Sequence, residues 1–168
     1  QRVKKVKLYL GLYIGDAPYF IQQGVFYITN PTDIMNTSTK CIQINCVDKW
    51  GFLDGTLFGN LDGIYKVPVG ADIFGATKKL LMTDRGNGLP IDGTMPNIST
   101  YFNTKKVKLS DGTMVSVLKT PFTATIEKGQ TYADVLLQFN TMLGGCIYYD
   151  IMGRLNIEPN EDGQMSLF

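Results

Sequence analysis

The sequence predicts an α+β fold, in which an antiparallel β-sheet or small barrel is followed by a mixed α/β unit with two helices and hairpins. Apolar residues occupy alternate positions from Val6 to Ile14, which is the period of a β-strand. Residues 71–84 and 132–143 instead repeat apolar residues every three or four positions, as amphipathic helices do. After residue 50 the sequence changes from strand-like segments to a glycine-rich loop. We therefore expect a barrel-like strand unit at residues 1–50 and an α/β unit at residues 51–168.

The first unit contains three predicted strands. In Val6 to Ile14 one face is apolar and the neighbouring lysines face solvent, so we expect a half-buried strand. The second and third strands are predicted from Gly24 to Thr29 and from Thr39 to Val47. Turn-forming residues at 16–18 and 30–33 separate them. Three consecutive strands of this kind predict an antiparallel sheet or a small barrel.

The second unit begins with a glycine-rich loop, which is followed by a predicted helix over residues 71–84. Glycines at residues 86 and 88 end this helix. Residues 89–103 are rich in Pro, Gly, Asn and Thr, and we expect an irregular segment there. Residues 104–119 read as a hairpin that turns at residues 110–112. We interpret this hairpin as an insertion.

The local signals agree best in the last helix and the hairpin after it. Thr131 is a suitable N-cap, and Asp134 adds negative charge where the helix dipole is positive. An apolar stripe that includes Phe139 follows, and Gly144 permits the left-handed backbone that ends a helix. The segments CIYYD and RLNIE then predict two strands joined through residues 150–153.

The composition argues against several classes of function. Sixteen Lys and Arg against 15 Asp and Glu give a formal charge of +1, so we expect no nucleic-acid specificity. No stretch approaches the roughly 18 apolar residues of a membrane helix, and we expect no membrane partner. Cys41, Cys46 and Cys146 are too few for a disulfide framework, and we expect buried free thiols. In a strand, Cys41 and Cys46 would face opposite sides.

The sequence offers little support for catalysis. It has no histidine, which removes the most common general base and metal ligand. Five aspartates directly precede glycine, which is typical of turns: Asp54, Asp62, Asp92, Asp111 and Asp162. We therefore predict that the chain is not an enzyme and has no catalytic, metal or cofactor site. A hydrolase that uses two aspartates alone is the remaining enzymatic hypothesis.

An ordered series of segments resembles bacteriophage tail baseplate hub proteins. The series is GVFYITNP, then TKCIQINCVDKWGFLDG, a Pro-Gly approach to a helix, and finally a helix followed by YYDIMGRLNIEP. The positions that match the family pattern are Gly24 to Ile28, Ile42 to Trp50, and Asp150 to Leu155. These are packing and turn motifs, each weak alone. Residues 104–119 fit the pattern poorly.

The resemblance implies a non-enzymatic structural component of a phage tail baseplate or tail tip. Such a protein has a tail-tube-like β-barrel half and a mixed α/β half, and it assembles into a ring, usually a trimer. It would contact other tail proteins, reside in the virion tail, and be made in the cytoplasm of the bacterial host. The residues with predicted structural roles are Gly24, Phe26, Asp48, Trp50, Thr131, Phe139, Asp150, Gly153 and Leu155.

Two of these residues have a more specific expected role. Asp48 and Trp50 should close the first unit, with the carboxylate capping backbone N–H groups and the indole packed beneath the loop. The alternative hypothesis is a carbohydrate or host-surface binding module, in which exposed tyrosines and Trp50 stack on sugars.

Overall fold

The computed structural model describes residues 4–35 and 40–160 and shows an α+β fold with antiparallel sheets, as predicted. The first three strands form one sheet in the order β1-β2-β3, and within the described residues this sheet does not close into a barrel. The remaining strands form three smaller sheets, in the orders β5-β10-β9, β4-β8 and β6-β7.

The element bounds follow the chain. The strands are β1 Lys5–Ile14, β2 Ala17–Met35, β3 Lys40–Val47, β4 Tyr65–Val67, β5 Asn97–Ile98, β6 Lys106–Lys108, β7 Met114–Ser116, β8 Ala124–Ile126, β9 Gly145–Tyr149 and β10 Leu155–Pro159. The helices are α1 Ile73–Leu81, α2 Tyr101–Thr104 and α3 Tyr132–Leu143, with a 3-10 helix at Lys49–Phe52.

The first hairpin has a shorter turn and a longer second strand than predicted. Ile14 pairs with Ala17, so the predicted break at residues 16–18 is a two-residue turn after which the strand resumes at once. Gly15 has a φ of 62°, the value that the first central residue of a type II′ turn requires. β2 then continues through the second predicted break, because a register shift between Ile28 and Pro31 accommodates the proline.

The hydrophobic core lies in the second unit, which we call the body. It is built around α1 and α3, whose apolar faces pack with β8, β10 and the loops between them. The most deeply buried side chains include Ile73, Leu80, Leu136, Phe139 and Leu155. Since this core is continuous, the body carries most of the apolar burial that stabilises the fold.

Helix α3 forms with the N-cap and the C-terminal glycine that its sequence predicts. The Thr131 hydroxyl accepts from the Asp134 N–H, and the Asp134 carboxylate accepts from the Thr131 N–H at 2.7 Å, which completes a capping box. Gly144 ends the helix with a φ of 65°. Phe139 is fully buried, whereas Leu137 on the opposite side is exposed. Helix α1 is also present, with slightly shorter bounds than predicted.

The β9–β10 hairpin forms as predicted. Asp150 Oδ1 accepts from the N–H groups of Met152 and Arg154, both at 2.9 Å, and Gly153 has a φ of 74°. A Cβ at residue 153 would lie only 3.3 Å from Val25 Cβ in β2. The turn therefore needs glycine both for its backbone angle and for its close approach to the first sheet.

The expectation of an irregular segment at residues 89–103 was partly wrong. β5 lies within it and pairs in parallel with β10, and α2 begins at its end. Phe102 of α2 is buried in the core. The hairpin predicted at residues 104–119 is present as β6 and β7 and turns at Asp111-Gly112. That it is an insertion stays a prediction.

Candidate interaction surface

The two faces of the β1–β3 sheet have different surroundings. The face that we call the inner face approaches the body at its base, where Val25 is buried against the β9–β10 turn. On the same face the rings of Tyr27 and Phe52 meet edge to face, with centroids 4.7 Å apart. Farther out, Gln22 Nε2 donates to the Ile151 carbonyl at 2.6 Å. These contacts fix the inner face toward the body.

The opposite face, which we call the outer face, carries Gly24 and Phe26 at its base, beside the β9–β10 turn, and exposed apolar side chains farther along the sheet. Strand alternation and cross-strand pairing place eight large apolar side chains on it. They are Leu8, Leu10, Leu12, Ile14, Tyr19, Ile21, Ile42 and Ile44. Each is between 43% and 66% exposed. The expectation of a half-buried first strand was therefore wrong, because nearly every residue of β1 is exposed on both faces and the body contacts the sheet through β2.

The expectation of buried thiols was also wrong, since all three cysteines are exposed. Cys46 follows Ile44 by two positions in β3 and lies on the outer face, while Cys41 has the opposite parity and lies on the inner face. Burial was expected because the cysteines are too few for a disulfide framework and a free cysteine is usually a buried residue. The described residues do not cover these thiols.

Aromatic rings cover the glycines of the sheet. The Phe26 ring lies over Gly24 so closely that a Cβ there would be 2.6 Å from it, and the Phe20 ring lies 3.3 Å from the corresponding position of Gly11. Each ring fills the space that a glycine side chain leaves empty in a strand. Gly24 and Phe26 are thus a packing pair within β2.

The sheet joins the body through the 3-10 helix. Asp48 Oδ1 accepts from the Trp50 N–H at 2.9 Å and caps this helix. The Trp50 indole is half-buried and meets Tyr149 edge to face at 6.5 Å. Asp48 thus caps a backbone N–H as expected, whereas the closing role of Trp50 stays a prediction.

The structure brings several predicted residues together at this junction. A cleft of about 100 Å³ between β2 and the β9–β10 turn is lined by Gly24, Phe26, Asp48 and Asp150, among others. Gly153 lies beside it against Val25. The remaining three predicted residues, Thr131, Phe139 and Leu155, lie in the body and contribute to its core and caps.

A buried ion pair at the same junction has no counterpart in the sequence predictions. Lys49 Nζ lies 2.7 Å from Asp92 Oδ1 and donates to Thr94 Oγ1 at 2.8 Å. The two charged side chains are only 11% and 3% exposed. Asp92 also accepts from the Thr94 N–H, so its turn role was predicted correctly. No spacing signal joins residues 43 positions apart, which is why the pair was missed.

Beside this pair lies a cleft of about 230 Å³ lined by Lys5, Tyr27, Arg85 and Asp92, among others. The Arg85 guanidinium stacks 4.8 Å from the centre of the Phe52 ring. Burial, together with the negative charge of Asp92, raises the pKa of Tyr27 above its ordinary value. The cleft is a mixed polar pocket in which one acid is already neutralised by a lysine.

At the junction, the hydroxyl of Tyr149 has the most strongly raised pKa. Burial raises the pKa of its hydroxyl far above the ordinary value, and the negative charges of Asp92 and Asp48 raise it further. The hydroxyl oxygen is buried and has no hydrogen-bond partner among the described residues. The folded protein therefore keeps this proton at pH values where an unfolded tyrosine loses it.

We expect Tyr149→Phe to reduce the alkaline loss of stability. The unfolded tyrosine ionises near about pH 10. Because the folded pKa is higher, its contribution to stability is fully present below that pH and declines as the pH rises above it. Denaturant unfolding at pH 7 and pH 10.5 measures the difference. The variant should be at least as stable as the wild type at pH 7, since no hydrogen bond is lost. Equal losses in both proteins at high pH would contradict this assignment.

Among residues 4–35 and 40–160, no group of three or more His, Cys, Asp or Glu side chains is arranged to hold a metal ion. A membrane-spanning helix is likewise absent from the helices of these residues, since none is both long and apolar enough. No protein-family model, curated protein or solved structure matches the chain.

Proposed function

We propose that the chain is a non-enzymatic structural subunit of a phage tail baseplate or tail tip that works through protein contacts. The observation that carries this proposal is the outer face, where eight large apolar side chains face away from the body's own core. With each about half exposed, they offer on the order of 700 Å² of apolar surface, above the roughly 300–600 Å² of the largest patch on a typical monomer. Such a surface marks a site of association.

The placement of the family-like motifs supports the same proposal. Gly24 to Ile28 lies in β2, Ile42 to Trp50 covers most of β3 and enters the 3-10 helix, and Asp150 to Leu155 forms the β9–β10 turn. All three segments meet where the sheet joins the body. The motifs therefore specify one structural unit, the junction at which the sheet joins the body. They do not specify a reactive group.

The proposed partners are other copies of the chain, in a ring with a trimer as the expected size, and neighbouring tail proteins. β1 and β3 are the edges of the sheet among the described residues, and unpaired strand edges can extend a sheet between subunits. The proposed location is the virion tail, after synthesis in the bacterial cytoplasm.

The test is localisation in virus particles. Purified particles from a host that encodes the chain should contain its peptides by mass spectrometry, and gold-labelled antibodies against it should mark the tail tip. Tailless capsids from the same lysate are the control. Particles that lack its peptides would overturn the proposal.

A second candidate, a carbohydrate-binding module, rests on a separate observation. Tyr13 and Phe20 on the inner face, beyond the body, are 79% and 71% exposed and present aromatic rings of the kind that stack on sugars. Trp50 is half-buried and meets Tyr149 edge to face, so its ring is less accessible than those of Tyr13 and Phe20. Binding on a glycan array that is lost in Tyr13→Ala would favour this candidate.

A further inference from the structure

We propose that the outer face of the β1–β3 sheet packs face to face on the outer face of a second copy, related by a two-fold axis. This inference rests on the proposed function in that the chain acts through contacts between copies. It goes further by naming the surface and the geometry. A ring could then be built from other contacts, with this pairing joining two subunits or two rings.

The chemistry of the face selects its partner. β1 contributes Val6, Leu8, Leu10, Leu12 and Ile14 to this side, and none of them is charged or can form a side-chain hydrogen bond. A charged or polar partner would lose hydration here without gaining a compensating contact. The β1 side of the face therefore matches another apolar surface, and the chain itself supplies one.

The shape of the face also fits such a pairing. Two sheets stack at about 10 Å with their side chains interleaved, and branched aliphatic residues suit this packing. In an isologous pair each copy uses the same patch, so one surface serves both partners. The outer face needs no second complementary surface elsewhere on the molecule.

The area is sufficient for a stable pair. The eight exposed side chains offer on the order of 700 Å² per copy, close to the about 800 Å² per partner of a standard specific interface. Hairpin residues on the other side of the sheet provide a contrast, because Lys5, Lys7 and Gln22 interrupt that surface. The uninterrupted apolar row of β1 gives the outer face the composition of an interface core.

Pairing through strand edges would not cover the apolar side chains of the outer face. The edges of β1 and β3 can satisfy backbone groups of a neighbouring chain, but an edge contact leaves the side chains of both faces where they were. Leu8, Leu10 and Leu12 would remain in water. Covering them requires a contact that lies over the face of the sheet.

The native thiols provide an internal test. Cys46 lies on the outer face and Cys41 on the inner face, five residues away in the same strand, and both are exposed. One variant retains only Cys46, through Cys41→Ser and Cys146→Ser, and the matched control retains only Cys41, through Cys46→Ser and Cys146→Ser. The rate of alkylation by a maleimide is measured for each across a wide range of protein concentration.

The proposal predicts opposite results for the two thiols. The rate at Cys46 should fall about tenfold from dilute to concentrated protein, because it follows the fraction of free monomer, whereas the rate at Cys41 should stay constant. Adding Leu10→Glu should restore the fast rate at Cys46 and weaken association at least about tenfold, since a buried charge would face an apolar surface. Tyr13→Glu, on the other face, is the matched control and should leave both unchanged.

The outcomes separate this inference from the proposed function. Equal protection of both thiols, or dimers that persist in Leu10→Glu and dissociate in Tyr13→Glu, would overturn the face-to-face contact. So would a wild-type chain that sediments as a monomer at every concentration tested. The localisation of the chain in virus particles decides the proposed function independently of these results.

Discussion

Replacing Phe139 by alanine is expected to lower the free energy of unfolding by about 3–5 kcal/mol. The ring is fully buried at the centre of α3, in contact with the core of the body. Its removal deletes apolar contacts and leaves a cavity that the surrounding helices and strands fill only in part. Denaturant unfolding followed by the fluorescence of the single tryptophan, Trp50, measures the change.

Leu137→Ala is the matched control for this prediction. Leu137 lies two residues away in the same helix but is exposed, so its truncation should cost less than about 1 kcal/mol. Equal destabilisation by the two variants would show that α3 does not bury the face described above. It would also contradict the placement of the core in the body.

Replacing Lys49 by methionine is expected to cost about 3–5 kcal/mol of stability, because it leaves the Asp92 carboxylate buried without its counter-ion. The pair is short at 2.7 Å and the Asp92 carboxylate is only 3% exposed, so little solvent reaches the charge that the lysine balances. The same substitution at Arg154, whose pair with Asp150 is exposed, should cost no more than about 1 kcal/mol.

A double variant distinguishes loss of the charge pair from loss of packing. Asp92→Asn keeps an acceptor for the Thr94 N–H but removes the negative charge, so Lys49→Met with Asp92→Asn should recover much of the stability that Lys49→Met loses. If the double variant were less stable than Lys49→Met alone, the buried charge would not be the cause. Unfolding midpoints of the four proteins in the cycle provide the measurement.

The elements that could be predicted are those specified by nearby residues. Thr131 and Asp134 define the start of α3 and Gly144 its end, all within one segment of sequence. The β9–β10 turn is similarly local, since Asp150 and Gly153 supply its capping carboxylate and its positive φ. In both cases the determinants lie within a few residues of the element that they shape.

The elements that were missed depend on distant partners. β5 has only two residues, and it exists because β10, nearly sixty positions later, offers an edge. The Lys49–Asp92 pair likewise joins loops that only the folded chain brings together. Asp92 was read as a turn residue, which is correct but incomplete, because sequence patterns do not show burial of a charge.

The outer face illustrates a different limit. Alternation from Val6 to Ile14 predicted that one side of β1 is apolar, and this was correct. The pattern does not say what covers that side. A period of two is equally compatible with burial inside the chain and with burial between chains. The structure shows that the body contacts the sheet at Val25 and Tyr27 of β2 and leaves the apolar side of β1 exposed.

The concentration dependence of unfolding tests most directly whether the outer face is covered by a second copy. We predict that the denaturant midpoint of the wild type rises as protein concentration is raised about a hundredfold, because association stabilises only the folded state. Leu10→Glu should show a midpoint that does not change with concentration. A wild-type midpoint that is also constant over that range would contradict the account, since the eight apolar side chains would then be exposed in the stable form of the protein.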